Sequence, residues 1–284
     1  MPHVGDLAGG VAVVTGAGSG LGAAMARKFA GAAMAVAALD IDEARAEATA
    51  TALAHELGVA TTSVRTDVGD ARSVAVAAEH VASTLGGCNL VCANVGVQQF
   101  GAIDRLTEDD WTWVLNVNVM GTVRTVRAFL PLLRQRAGWR HIVLTSSAGA
   151  LVPSVRLGAY QATKFAVMGF GETLRLELAD EGIGVTLLFP AAMTTRHLES
   201  SARARPADLG ESVTLPDDIE AMMASLPMSD RDLVTADHAV RHLLDELLAN
   251  QPYVLTHGSY RPEYQKRRDA IDAAFDRLDR LDRA

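Results

Sequence analysis

The sequence predicts an α/β protein: a doubly wound parallel sheet of about seven strands with helices on both faces. Three observations predict it. Short apolar, β-branched runs alternate with alanine-rich helical stretches along most of the chain. Short connections between them imply parallel strands and right-handed crossovers. Hydrophobic residues make up 49% of the 284 and charged residues 21%, ample for one large core. The glycines and polar residues that carry chemistry fall where strands end, the edge at which such sheets bind ligands. No internal repeat or low-complexity linker divides the chain, so residues 1–284 are read as one domain.

Val11 to Val14 suits a strand buried on both faces. It runs into Thr15-Gly16-Ala17-Gly18-Ser19-Gly20-Leu21-Gly22, and Leu21 to Ala30 reads as a helix. Glycines at such a turn let the backbone approach a ligand. The helix N-terminus offers N–H groups and a positive dipole end to a pyrophosphate. Met34 to Leu39 is the second strand and ends on Asp40. An acidic group about 20 residues past the turn is placed to bond a ribose 2′-hydroxyl and to repel a 2′-phosphate. No arginine or lysine lies in the turn or directly after Asp40, which predicts NAD over NADP. The alternative is that Asp40 caps the next helix, a task Asp42 and Glu43 can also serve.

Glu43 to Leu57 is a helix and Val59 to Arg65 a strand, followed by Thr66-Asp67-Val68. Asp70 to Leu85 is a helix, and the strand Asn89 to Ala93 leads into Asn94-Val95-Gly96. Thr107 to Gln135 is mostly helical, opened by Thr107 and Glu108 to Asp110 and weakened near its end by Pro131. Asn116 and Asn118 are unfavourable in mid-helix. They mark either a polar face or a distortion aimed into the cleft. Trp139 to Leu144 is the fifth strand, with Thr145-Ser146-Ser147 at its carboxyl end.

Gly158 to Asp180 is the helix bearing Tyr160 and Lys164, which share a face at i and i+4. An ammonium near a phenol favours the phenolate and lowers the tyrosine pKa from about 10. That produces a group able to exchange protons near neutral pH. Lysines are scarce, only Lys28, Lys164 and Lys266, which adds weight to one placed four residues after a tyrosine. Ile183 to Phe189 is the sixth strand, ending at Pro190.

Residues 191–229 break the rhythm with Pro206, Pro216, Pro227 and scattered apolar residues, among them Leu209, Val213, Met222, Leu226 and Met228. Such an insert is a lid or binding loop, or else a surface excursion with its own small core. Thr235 to Ala249 is a helix and Tyr253 to Thr256 a last short strand. His238 and His242 share a face with no carboxylate between them, which fits surface or packed histidines rather than metal ligands. In the charged tail, residues 261–284, Ile271, Phe275 and Leu278 form an apolar stripe. It fits a helix docked on its own domain or on a neighbouring subunit, the alternative being a frayed end.

The totals exclude other classes. A formal charge of −8 argues against nucleic-acid or anionic-membrane partners. No apolar run reaches the roughly 18 residues of a membrane span, and no basic region and apolar core open the chain, so a cytoplasmic protein is expected. Cys88 and Cys92 lie about 13 Å apart along a strand, too far for a disulfide, and no further soft ligand sits nearby for a metal. Both are read as free, buried thiols in a reducing compartment.

With these residues in place, residues 7–255 resemble the short-chain dehydrogenase/reductase family. The turn matches its T-G-x-x-x-G-x-G through Thr15, Gly16, Gly20 and Gly22, and Y-Q-A-T-K matches its Y-x-x-x-K, with Ser147 thirteen places before Tyr160. The resemblance implies a Rossmann-type fold and hydride transfer with a nicotinamide cofactor. In it Tyr160 is the general acid/base, Lys164 lowers its pKa and binds the nicotinamide ribose, and Ser147 positions the substrate oxygen. Asn118 supports a proton-relay water. Ser19 and Leu21 belong to the cofactor turn, Asp67 touches adenine with Val68 beside it, and Asn94, Gly96 and Pro190 line the cofactor side. Thr195 lies near the nicotinamide carboxamide. Two departures stand out: Ala93-Asn94-Val95-Gly96 replaces the usual N-N-A-G, and Pro190-Ala191 replaces P-G. The family habit implies a homotetramer or homodimer through residues 107–135 and 158–180. The expectation is an NAD-dependent dehydrogenase for a secondary alcohol or ketone. Val97, Phe100, Leu151, Val152 and the apolar residues of 191–229 suggest a hydrophobic substrate. The alternative, a non-catalytic NAD-binding sensor or scaffold, needs no such acid/base set.

Overall fold

A computed structural model describes residues 2–195, 197–210, 212, 214–226 and 233–283. Val213 and residues 227–229, including Pro227 and Met228, lie outside the described residues. Seven strands form one parallel sheet: β1 (Val11–Thr15), β2 (Ala35–Asp40), β3 (Thr61–Arg65), β4 (Leu90–Ala93), β5 (His141–Thr145), β6 (Gly184–Phe189) and β7 (Tyr253–Leu255). Their order is β3-β2-β1-β4-β5-β6-β7, so the winding reverses between β1 and β4. Ligands in such sheets bind beyond the carboxyl ends at that reversal. The strand bounds shift from the sequence expectation by a few residues, chiefly at their starts.

Strand residues alternate between two cores, which is why β1 is apolar throughout. Ala12 and Val14 pack on the face carrying α1 (Gly20–Ala30) and α2 (Glu43–Leu57), where Met25, Phe29 and Leu53 are buried. Val11 and Val13 face α3 (Ala71–Leu85) and the long helical segment after β4, with Val81, Phe129 and Leu133. Each such large side chain contributes about 1.5–3 kcal/mol when fully buried. Cys88 and Cys92 are buried free thiols in these cores.

The long helix is not continuous. It divides into α4 (Glu108–Leu115), a π-helical turn at Asn116–Met120, and α5 (Gly121–Arg134). The two asparagines lie in the π turn, so the distortion, not a polar face, accounts for them. α6 (Gly158–Glu177) follows β5. The segment after β6 folds into α7 (His197–Ala204), a 3-10 turn at Ala207–Leu209, and α8 (Pro216–Ser225). The single helix expected after it is two, α9 (Ala236–Ala239) and α10 (Leu243–Leu248). His238 and His242 are both exposed. The tail is helical, α11 (Arg261–Leu281), but buries none of its residues. This corrects the expectation of docking on its own domain: Ile271, Phe275 and Leu278 are exposed. Only its first turns approach the domain, with the Arg267 guanidinium 4.9 Å from the Phe165 ring centre.

Candidate active site

The turn between β1 and α1 is shaped by steric exclusion. Gly16 and Gly20 have φ of +69° and +52°, the left-handed region that glycine tolerates. A Cβ on Gly22 would lie 2.0 Å from the Gly16 carbonyl oxygen, and one on Gly18 would lie 2.7 Å from the Arg45 Cβ. The turn therefore closes only with bare backbone at these positions. Ser19 is the N-cap of α1 but makes no side-chain capping bond, which leaves the helix N-terminus open to an anion. A Gly22→Ala variant is expected to lose about 3 kcal/mol or more in urea unfolding, since backbone sets the overlap. Gly169→Ala, in an open position on α6, should match or exceed the wild type.

Asp40 closes the same turn. Its Oδ2 accepts from the Gly18 N–H at 2.8 Å and its Oδ1 from the Asp42 N–H at 3.0 Å. Asp42, not Asp40, caps α2 by accepting from the Arg45 N–H at 3.2 Å. The fold also brings Arg45, five residues beyond Asp40 in the chain, beside Gly18. Its guanidinium is held by Asp42 at 3.1 Å.

Asparagines brace the loops beyond β3 and β4. Asn94 donates to the Thr15 carbonyl at 3.1 Å and accepts from the Thr145 hydroxyl at 3.1 Å, tying β1, β4 and β5 together. This single asparagine supplies the cross-strand support, so the Ala93 departure leaves that strut intact. Asn116 donates to the Gly69 carbonyl at 3.2 Å. Asn118, fully buried, accepts from the Val97 N–H at 2.7 Å and donates to Val97 and Thr163, each at 2.9 Å. Its side chain is thus committed to the β4 loop and α6. Asp67 accepts from the Gly69 N–H at 2.8 Å, and Val68 packs against Gly121.

Ser147 follows β5, where its hydroxyl accepts from the Gly149 N–H at 3.1 Å and lies near enough to Tyr160 to oppose the effect of burial on the phenol. The Lys164 ammonium donates to the Thr145 carbonyl at 3.0 Å and sits 5.6 Å from the Tyr160 ring centre. A Cβ on Gly96 would lie 3.0 Å from that ammonium, so Gly96 gives it room. One expectation is corrected here. Burial raises the Tyr160 pKa, with the Ser147 hydrogen bond opposing it, instead of the ammonium lowering it. The reason is that the strand carbonyl, not the phenol, holds the ammonium. Burial also brings Lys164 down to about 8.

After β6, Pro190 accepts from the Ala148 N–H at 2.8 Å, and Met193 pairs with Val234 in a parallel bridge. That path, through Ala191, carries Thr195 to the glycine turn: its Cγ2 lies 3.4 Å from where a Gly20 Cβ would be. The segment beyond lies over the cleft, not on a remote surface. Met222 and Leu226 pack with Phe100, Leu157 and Tyr160, while Ala204 and Leu209 pack with Val97 and Trp113. Polar latches hold it: Gln99 to Ser212 at 2.8 Å, Arg205 to Asp110 at 2.7 Å, and Arg156 to Asp218 at 3.3 Å. Asp110 was legible only as a helix-start signal. Gln99, Arg205 and His197, which meets Tyr160 edge-on, gave no local signal. Among the described residues no group of His, Cys, Asp and Glu could hold a metal, and no helix is long and apolar enough to cross a membrane.

A seven-stranded parallel sheet with a glycine turn after its first strand is a Rossmann-type nucleotide-binding fold. The family model for short chain dehydrogenase matches residues 10–206. The chain is 30% identical over 216 residues to the C alpha-dehydrogenase of Sphingobium sp. strain SYK-6, covering 76% of this chain and 70% of that one. It is 36% identical over 137 residues to human 17-beta-hydroxysteroid dehydrogenase type 1, covering 48% of this chain and 41% of that one. The crystal structure of a short chain dehydrogenase/reductase from Burkholderia phymatum in complex with NAD is similar at a TM-score of 0.86 and 30% identity, covering 95% of this chain and 96% of that one. The chain belongs to the short-chain dehydrogenase/reductase family of oxidoreductases.

Proposed function

We propose that the protein is an NAD-dependent dehydrogenase that interconverts a secondary alcohol and a ketone on a hydrophobic, alicyclic, terpenoid or steroid-like substrate. The observation that carries this reading is the partly buried Tyr160, with Ser147 and Lys164 beside it, at the sheet edge that also holds the glycine turn. Tyr160 gives its phenolic proton to a ketone oxygen, or takes the proton of a carbinol hydroxyl. Ser147 holds that same oxygen. Lys164, kept in place by the Thr145 carbonyl, sets its positive charge beside the phenolate that remains once Tyr160 has given up its proton. Met222 and Leu226 exclude water from the reacting groups. NAD, when bound, supplies the hydride acceptor. Gly16, Ser19, Gly20, Leu21 and Gly22 would hold its pyrophosphate, where the bare backbone and open helix end suit an anion. Asp40 would take the adenosine ribose, Asp67 and Val68 the adenine, and Asn94, Gly96, Lys164, Pro190 and Thr195 the nicotinamide side. The names of the two relatives, a C alpha-dehydrogenase and a 17-beta-hydroxysteroid dehydrogenase, support dehydrogenase chemistry, and the second supports a carbinol on a steroid-like substrate. Assembly as a homodimer or homotetramer through α4, α5 and α6 goes with this reading.

A screen of cyclic secondary alcohols with each cofactor tests it. Oxidation is expected with NAD at a kcat/KM about a hundredfold or more above that with NADP, because the Asp40 carboxylate would face the 2′-phosphate. Equal or better use of NADP would defeat the role given to Asp40. No oxidation or reduction across the panel would defeat the dehydrogenase reading.

A further inference from the structure

His197 begins α7, in the layer that covers the cleft. Its ring centre lies 6.2 Å from that of Tyr160, with the planes at 61°, edge to face. Among the described residues neither ring nitrogen has a hydrogen-bond partner; the one bond recorded at His197 is to its backbone carbonyl, from the Ser201 hydroxyl at 2.8 Å. The helix does not need the imidazole to stay in place. Ser201 anchors it by accepting from the Gln98 N–H at 3.1 Å, and Arg205 by its pair with Asp110. The other side chains that this layer packs on Tyr160, Met222 and Leu226, are apolar. Burial, with the Lys164 charge, brings the His197 pKa down to about 4, so the ring is neutral at pH 7 and offers one N–H and one lone pair. A polar ring without a partner, set in an apolar cover against the tyrosine, is suited to a polar group of a bound molecule.

Resting on the dehydrogenase reading above, we propose that His197 forms a polar subsite beside Tyr160 that selects substrates with a second oxygen on the carbon next to the reacting carbinol. The class is vicinal diols and their α-hydroxyketones. Two hydrogen bonds of about 3 Å, one from the phenol and one from the imidazole, reach two oxygens on neighbouring carbons across rings this close. A lone carbinol fills only the first.

The test compares 1-phenyl-1,2-ethanediol with 1-phenylethanol in wild type, His197→Leu and His197→Gln. Wild type is expected to favour the diol by about tenfold in kcat/KM, the worth of one well-made hydrogen bond. His197→Leu should bring the ratio close to one, chiefly through KM for the diol, and His197→Gln, which keeps a donor and an acceptor, should restore part of it. A ratio unchanged in His197→Leu overturns the proposal. A binding measurement separates it from the dehydrogenase reading. In Tyr160→Phe protein with NADH, calorimetry should show 2-hydroxyacetophenone binding more tightly than acetophenone, and adding His197→Leu should erase the difference. No difference before that addition overturns the role of His197. A difference with no wild-type turnover supports the subsite and overturns only the dehydrogenase reading.

Discussion

Tyr160→Phe is expected to lower kcat by about 10²–10⁴-fold while the protein still folds and binds NADH. The substitution deletes one oxygen. That oxygen stands beside Ser147, and the ring that remains still packs with Phe100, Leu157 and Met222. Nothing in the glycine turn touches the phenol, so cofactor affinity, read by NADH fluorescence, should change little. Thermal unfolding should shift little for the same reason. Retained turnover would remove Tyr160 from the chemistry and with it the proposed mechanism. Ser147→Ala should cost less in kcat than Tyr160→Phe, since it leaves the proton-transferring group in place. It also removes the acceptor for the Gly149 N–H, so part of its effect will appear as lost stability.

The contrast between Tyr160 and its surroundings marks what a sequence can carry. The placement of the glycine turn, Asp40, Asp67, Asn94 and Ser147 at one edge was legible because each lies at or just beyond a strand's carboxyl end, and strand ends in a parallel sheet share an edge. The π turn was legible as two asparagines out of place in a helix, though not which loops they brace. The direction of the Tyr160 pKa was not legible. Spacing puts Lys164 on the right face, but the acceptor that holds its ammonium is a carbonyl on another element, nineteen residues earlier. The latches on the covering segment were hidden for the same reason. Gln99 and Ser212, or Asp110 and Arg205, are far apart in the chain and meet only after the segment has packed. The tail shows the converse: its periodicity foretold a helix, yet a stripe says nothing of what it faces, and here it faces outward.

Asp110→Ala should be among the most destabilising single changes outside the sheet. The Asp110 and Arg205 side chains are only 1% and 7% exposed, with Nη1 and Oδ1 2.7 Å apart. Oδ1 has no aligned hydrogen bond, so the contact works as a charge pair. Arg205 also donates to the Gln99 side chain and to the carbonyls of Leu209 and Gly210, and its guanidinium lies 5.5 Å from the Trp113 ring centre. Removing the carboxylate leaves a buried guanidinium without a counter-charge, at a cost of about 3–5 kcal/mol. It also breaks the capping box in which Asp110 accepts from the Thr107 N–H and hydroxyl, each at 2.9 Å. Because α4 leads straight into the π turn, and Arg205 directly follows α7, which His197 begins, loosening this pair should also open the cover. KM for an apolar substrate should then rise more than kcat falls. Replacing both partners, as Asp110→Leu with Arg205→Met, should recover much of the stability, because an apolar pair leaves no charge unpaired. Acid unfolding gives the independent reading. Burial raises the Asp110 pKa, but the bonds from the Thr107 N–H and hydroxyl and the adjacent Arg205 guanidinium together bring it below the ordinary carboxylate value. A carboxyl held lower in the folded state than its unfolded value of about 3.9 stabilises fully above that value. The contribution is lost as pH falls through the folded pKa. Wild type should therefore lose stability more steeply than Asp110→Asn below about pH 4, and the two slopes should converge above about pH 5. Parallel slopes throughout would show that the pair carries no such linkage.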